Sequence, residues 1–164
     1  MKNLNQYIQE KLIINKDYRD AKIVVKSFDE LRKIIEDRYD EFGAGTKQDP
    51  IDFNDIDVSN LNSFCNDNDN GLFEKTKFKY IDISDWNVSS VTNMTRMFCW
   101  CKELESIGDI SKWDVSKVNS MIHMFFNCKK FNQDISNWDV SNVMGRVGMF
   151  YGCPIKNEYE PKFK

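Results

Sequence analysis

The chain carries one histidine, His123. That excludes His-rich metal sites and leaves little from which to build a Ser–His or Cys–His nucleophile. Glycine is sparse, at seven residues in 164, and neither a P-loop nor a Gly-x-Gly-x-x-Gly turn occurs, so a phosphate cradle has no material. No apolar run approaches the roughly 20 residues of a membrane span. The stretch from Met1 to Tyr18 alternates polar and apolar residues and lacks the continuous apolar core of a signal peptide. An excess of positive charge is missing too. The net charge is −3, which argues against nucleic acid as a partner. Cys-x-x-Cys is absent; Cys99-Trp100-Cys101 is one residue too short for a zinc or redox motif. Five cysteines is an odd number, and without an export signal they read as reduced, buried thiols. These absences predict a non-enzymatic chain with no metal, no cofactor, no small-molecule substrate and no membrane contact, working in the cytoplasm.

What is present is a repeat. Asp82-Ile83-Ser84-Asp85-Trp86-Asn87-Val88-Ser89 recurs as Asp109-Ile110-Ser111-Lys112-Trp113-Asp114-Val115-Ser116, and again as Asp134-Ile135-Ser136-Asn137-Trp138-Asp139-Val140-Ser141. Behind each copy follow a Val, a Met-Phe pair (Met97-Phe98, Met124-Phe125, Met149-Phe150) and a Cys three residues later (Cys101, Cys128, Cys153). The tryptophans lie 27 and then 25 residues apart. A period in that range predicts stacked units. A fourth, degenerate copy precedes them: Asp57-Val58-Ser59-Asn60-Leu61 matches Asp114 to Val118, Ile56 takes the Trp slot, Leu72-Phe73 the Met-Phe slot and Thr76 the Cys slot.

Each unit reads as two halves. Asp-Ile-Ser-x-Trp-Asp alternates β-formers with polar residues and predicts a short strand. Ser89, Ser116 and Ser141 then precede apolar residues at three- and four-residue spacing, which predicts an N-cap and one to three helical turns. The fold class expected is therefore an α/β repeat: a leucine-rich-repeat-like solenoid of about four short strand-plus-helix units. Its Trp, Met and Phe residues should stack like on like. The recurring Asp and Ser read as Asx and Ser/Thr turns rather than as paired catalytic carboxylates.

Residues 1–50 read as an N-terminal helical cap, 51–153 as the repeats, and 154–164 as a C-terminal cap or tail. Within the cap, 3–14 has helical apolar spacing, and Lys22-Ile23-Val24-Val25-Lys26 reads as a strand. Ser27-Phe28-Asp29-Glu30 is a capping box, in which the Glu30 carboxylate should reach the Ser27 N–H. It opens a helix over 28–42 that Gly43 stops. Its face is Leu31, Ile34, Ile35 and Tyr39, with Phe42 extending it. Asn66 to Gly71 places oxygens and a glycine as a calcium loop would, but Lys77 stands where the loop needs a glutamate, so a polar surface loop is the reading.

The pattern Asp-Ile-Ser-x-Trp-Asp-Val-Ser-x-Val-x-x-Met-x-x-Met-Phe-x-x-Cys-x-x-Phe-Asn-x-Asp resembles the BspA-like leucine-rich repeats, bacterial surface-protein repeats of about 25 residues abundant in mycoplasma surface lipoproteins and in gut bacteria and their phages. The resemblance covers residues 55–153, with Asn87 for Asp and Arg146 for Met as departures. It implies a leucine-rich-repeat-like fold acting in protein or surface recognition, without catalytic residues. Met1 to Ile8 is similar to the start of proteins from gut bacteriophages. A phage product would act in the virion or the host cytoplasm.

The repeat leaves some slots free, and these carry Arg96, Trp100, Lys112, Lys117, His123, Phe126, Asn137 and Tyr151. Large aromatics and Arg on a rigid scaffold are typical binding anchors. Trp100, Phe126 and Tyr151 equally suit packing between turns. The function expected is a protein–protein interaction module with an unidentified protein partner, one version being a phage- or mobile-element-encoded host-interaction or inhibitor protein. The alternative is a structural component of a virion or surface. The chain should be a monomer or a self-stacking oligomer.

Overall fold

A computed structural model describes residues 22–163. The helix expected over 3–14 lies outside the described residues. A first strand, β1 (Ile23–Val24), runs parallel to β3 (Ile56–Asp57), with Ile23 opposite Ile56. A second pair, β2 (Ile51–Asp52) and β4 (Ile81–Asp82), is also parallel, with Ile51 opposite Ile81.

Helix α1 spans Phe28–Phe42. The Ser27 hydroxyl accepts the Glu30 N–H at 3.2 Å, as the capping box requires. The Glu30 carboxylate takes the Lys26 N–H at 2.9 Å, one residue earlier than expected. Leu31, Ile34 and Ile35 are buried on one face, while Phe42 is exposed and lies off it. Arg32–Glu36 and Lys33–Asp37 are ion pairs four residues apart along the helix. Gly43 ends the helix at φ 73°, returning its N–H to the Tyr39 carbonyl.

The repeats correct the expected fold class. The chain does not form a leucine-rich-repeat-like solenoid of four strand-plus-helix units. Among the described residues there is one α-helix, a three-residue 3₁₀ turn at Asn157–Tyr159, and four strands of two residues in two small sheets. Where helices were expected, the chain makes successive β-turns. Met97 N–H returns to Met94 O, Cys99 to Arg96 O and Cys101 to Phe98 O, each three residues back. The intervening amides leave the unit: Met94, Arg96, Phe98 and Trp100 donate to Ser120, Ile122, Met124 and Phe126 of the next one at 2.7–3.0 Å. The same alternation joins Met121, His123, Phe125 and Asn127 to Gly145, Val147, Met149 and Tyr151.

Three-residue spacing of apolar positions therefore reflects a run of turns, which a window of sequence cannot separate from a 3.6-residue period. Left-handed residues enforce the difference. Arg96, Trp100, His123 and Asn127 have φ of 54–63°, and Gly148 and Gly152 occupy the matching places in the last unit. A left-handed L-residue cannot continue an α-helix. Ser89 and Ser116 are not N-caps. Each gives its N–H and hydroxyl to the side chain two residues before it, Asn87 and Asp114, and Ser141 gives its N–H to Asp139. The predicted Asx turns are thus present.

The core is a column. Phe73, Phe98, Phe125 and Phe150 stack at 5.3, 5.4 and 5.9 Å with rings within 15° of parallel. Trp113 and Trp138 stack at 6.1 Å, but Trp86 rests on Phe64 and Phe73 instead. The cause is two extra residues between Cys101 and Asp109 relative to Cys128 and Asp134. Where they break the backbone ladder, the Gln133 carboxamide fills in, accepting from Ile107 N at 2.9 Å and donating to Gly108 O at 2.8 Å. Trp86 and Trp138 donate their indole N–H to Phe53 and Ile110 carbonyls; the Trp113 N–H is buried without a partner among the described residues.

Candidate functional site

The left-handed columns place the residues of the candidate site. His123 follows Arg96 in one column, and Trp100 occupies the other. Between them the Phe126 ring forms a hub. His123 meets it edge-on at 5.0 Å, Trp100 tilts against it at 5.8 Å, and Tyr151 stacks on it at 5.1 Å. Tyr151 is 68% and Trp100 38% exposed, so the ridge faces solvent although its rings support one another. The Lys102 ammonium lies 5.1 Å over the Trp100 ring and leaves the ridge amphipathic.

Four of the eight residues named from sequence are thus brought together. Arg96 stands beside them but turns its guanidinium to Glu74 at 2.7 Å. Lys112 and Lys117 are exposed neighbours of the Asp109 and Asp114 turns, and Asn137 gives its amide to Ser111 O at 2.5 Å. These three belong to the Asx-turn segments rather than to the ridge.

Sequence reasoning missed Glu74. It is 4% exposed, occupies the slot of Cys99 and Phe126, and accepts the Gly71 N–H at 3.1 Å as well as Arg96. Burial works to raise its carboxyl, but the Arg96 guanidinium and the Gly71 N–H outweigh that and hold it below the ordinary carboxylate range. The one signal was a carboxylate in an apolar slot next to Leu72-Phe73. Arg32 was missed too: its guanidinium donates to the Gly71 and Leu72 carbonyls, a contact across 39 and 40 residues that no local pattern reveals.

Cys101 and Cys128 donate to the Phe73 and Phe98 carbonyls at 2.9 Å. Burial pushes Cys101 up to about 12 and Cys153 up to about 11, and raises Cys128 as well. All five cysteines are free. In the Asn66–Gly71 loop the Asn66 side-chain oxygen accepts the Asn68 and Asn70 N–H groups. Among the described residues no three His, Cys, Asp or Glu gather to hold a metal, and no helix is long and apolar enough to cross a membrane.

Among the described residues the site is an exposed aromatic ridge on a run of turns. Residues 44–161 match the family described as Mycoplasma protein of unknown function, DUF285, and the chain belongs to that family. No curated protein and no solved structure matches.

Proposed function

We propose that the chain is a non-catalytic module that binds a protein partner through the ridge of Trp100, His123, Phe126 and Tyr151. The observation that carries this reading is the ring cluster itself. Three aromatic rings and an imidazole are gathered on turns whose backbone is locked to the neighbouring units, yet the outer two rings remain exposed. A rigid exposed aromatic loses little side-chain entropy on binding, which is why such residues dominate interface energetics. The sequence likeness to BspA-like surface repeats supports the same reading.

The test is capture from lysate of the producing cell with the tagged chain, beside a variant carrying Trp100→Ala, Phe126→Ala and Tyr151→Ala. One protein retained by the parent and lost by a variant that still unfolds cooperatively supports the module. Empty capture by both, with large homo-oligomers in light scattering, favours a structural, self-assembling component. Cytoplasmic residence belongs to the proposal, and fractionation of the producing cells tests it.

A further inference from the structure

The hydrogen bonds between units run both ways: amides such as Asn119 and Gly145 donate back to Thr92 and Asn119 carbonyls of the unit before, but the Met-Phe segments have one direction. Along the Met-Phe segments, N–H groups of one unit donate to carbonyls of the next. The last unit therefore ends in donors. Arg146, Gly148, Phe150 and Gly152 stand where Met121, His123, Phe125 and Asn127 stand one unit earlier, and among the described residues their N–H groups have no acceptor. Gly145 pairs with Ser120 in a parallel bridge through its own N–H to Asn119 O and its carbonyl to Met121 N. Its outer side therefore presents the Met144 carbonyl and the Arg146 N–H, the two groups a further parallel partner would use.

The side chains along this edge agree. Met144 is 86% and Val147 71% exposed, and Tyr151, stacked on Phe126 by one face, is exposed on the rest. Among the described residues the C-terminal segment covers the other half of this end and reaches the strip at Arg146. Tyr159 O accepts the Ile135 N–H at 3.0 Å, and Phe163 sits beneath the Arg146 guanidinium at 4.8 Å.

We infer that this edge is a docking strip for a segment of a second polypeptide that adds in parallel in the same run of turns, presenting a carbonyl at every second residue and an aromatic side chain in register with Tyr151. The inference rests on the protein-binding reading and names where the partner's backbone lies. A second copy of the chain does not fit. Edge to edge it would set donors against donors. Edge to opposite end it would meet the Leu72 carbonyl already held by Arg32, with α1 packed over it. Backbone pairing gives such a strip affinity, and the ring slot gives it selectivity.

The test is amide hydrogen exchange of the full chain, read residue by residue, with a synthetic peptide of residues 115–128 as probe. That peptide carries the Ser120, Ile122, Met124 and Phe126 carbonyls, which already satisfy an equivalent donor row. The four edge amides should exchange freely in the chain alone and slow about tenfold or more at saturating peptide. A scrambled peptide of equal composition should leave them unchanged. Unchanged exchange with the repeat peptide overturns the strip. So does protection that grows with protein concentration in the absence of peptide, because a second copy is then the occupant. If a captured partner is lost by the ridge variant while the four amides stay unprotected in its complex, the binding module stands and the strip falls.

Discussion

The two ends of the stack differ in chemistry, not only in position. At the N-terminal end the exposed backbone groups are carbonyls, and α1 closes them: Arg32 donates to Gly71 O and Leu72 O, while Tyr39 meets Phe78 edge-on at 5.1 Å. At the other end the exposed groups are N–H donors, and a short tail covers part of the surface. The difference teaches that Met-Phe segments whose bonds run one way leave an acceptor row at one end and a donor row at the other. A long cationic side chain suits the first. The second needs carbonyls, which only another backbone, a carboxylate or water supplies.

The largest effect should come from the core that joins the two ends. Phe125→Ala removes a fully buried ring from the middle of the column and should cost about 3–5 kcal/mol. Phe150→Ala, at the half-covered end, should cost clearly less. Thermal unfolding of the two variants checks the order, and equal losses would show that the donor end is as well closed as the interior.

Next in size is the N-terminal closure. Arg32→Ala leaves two partly buried carbonyls without their donor and should cost about 1–3 kcal/mol. Arg32→Lys should recover part of it. Urea unfolding that finds Arg32→Ala indistinguishable from the parent would remove the distinction between the ends.

Acid tests the Asx turns that run along both. Hydrogen bonds from Ser111, Ser116 and Ser136 hold Asp109, Asp114 and Asp134 below the ordinary carboxylate range. A depressed folded-state value contributes stability that is fully present above the unfolded value of about 3.9 and lost as pH falls through the folded one. Denaturation midpoints should therefore decline below about pH 4. Replacing the three by Asn should flatten that decline and keep the turns, since Asn87 already holds Ser89 in the same geometry.

The smallest effect is a gain. Lys75 is exposed at φ 61°, a place that the last unit fills with Gly152. Lys75→Gly should relieve that strain and stabilise by about 1 kcal/mol or less. A lower Tm would show that its contact with Glu74 at 3.4 Å outweighs the backbone.

Local chemistry was legible where one residue acts on the next few. Ser27 and Gly43 mark the ends of α1, and the Asp-x-Ser turns follow from side chains that reach only two residues along the chain. The phase of the Phe column also follows from sequence, because identical slots come to lie one above another. The ridge was half legible: Trp100, His123, Phe126 and Tyr151 were named, but Lys112, Lys117 and Asn137 lie on another part of each unit.

What only the tertiary structure decided is the conformation of the Val-x-x-Met-x-x-Met-Phe half. Its three-residue spacing suits a helix or a run of turns equally. The choice falls to turns because every second N–H finds a carbonyl of the next unit, and an α-helix would keep those N–H groups for itself. The same long-range bonding fixed the Arg32 cap, the Gln133 patch over the two-residue insertion and the buried Glu74–Arg96 pair. Each joins residues 22 to 40 positions apart, beyond the reach of any local propensity.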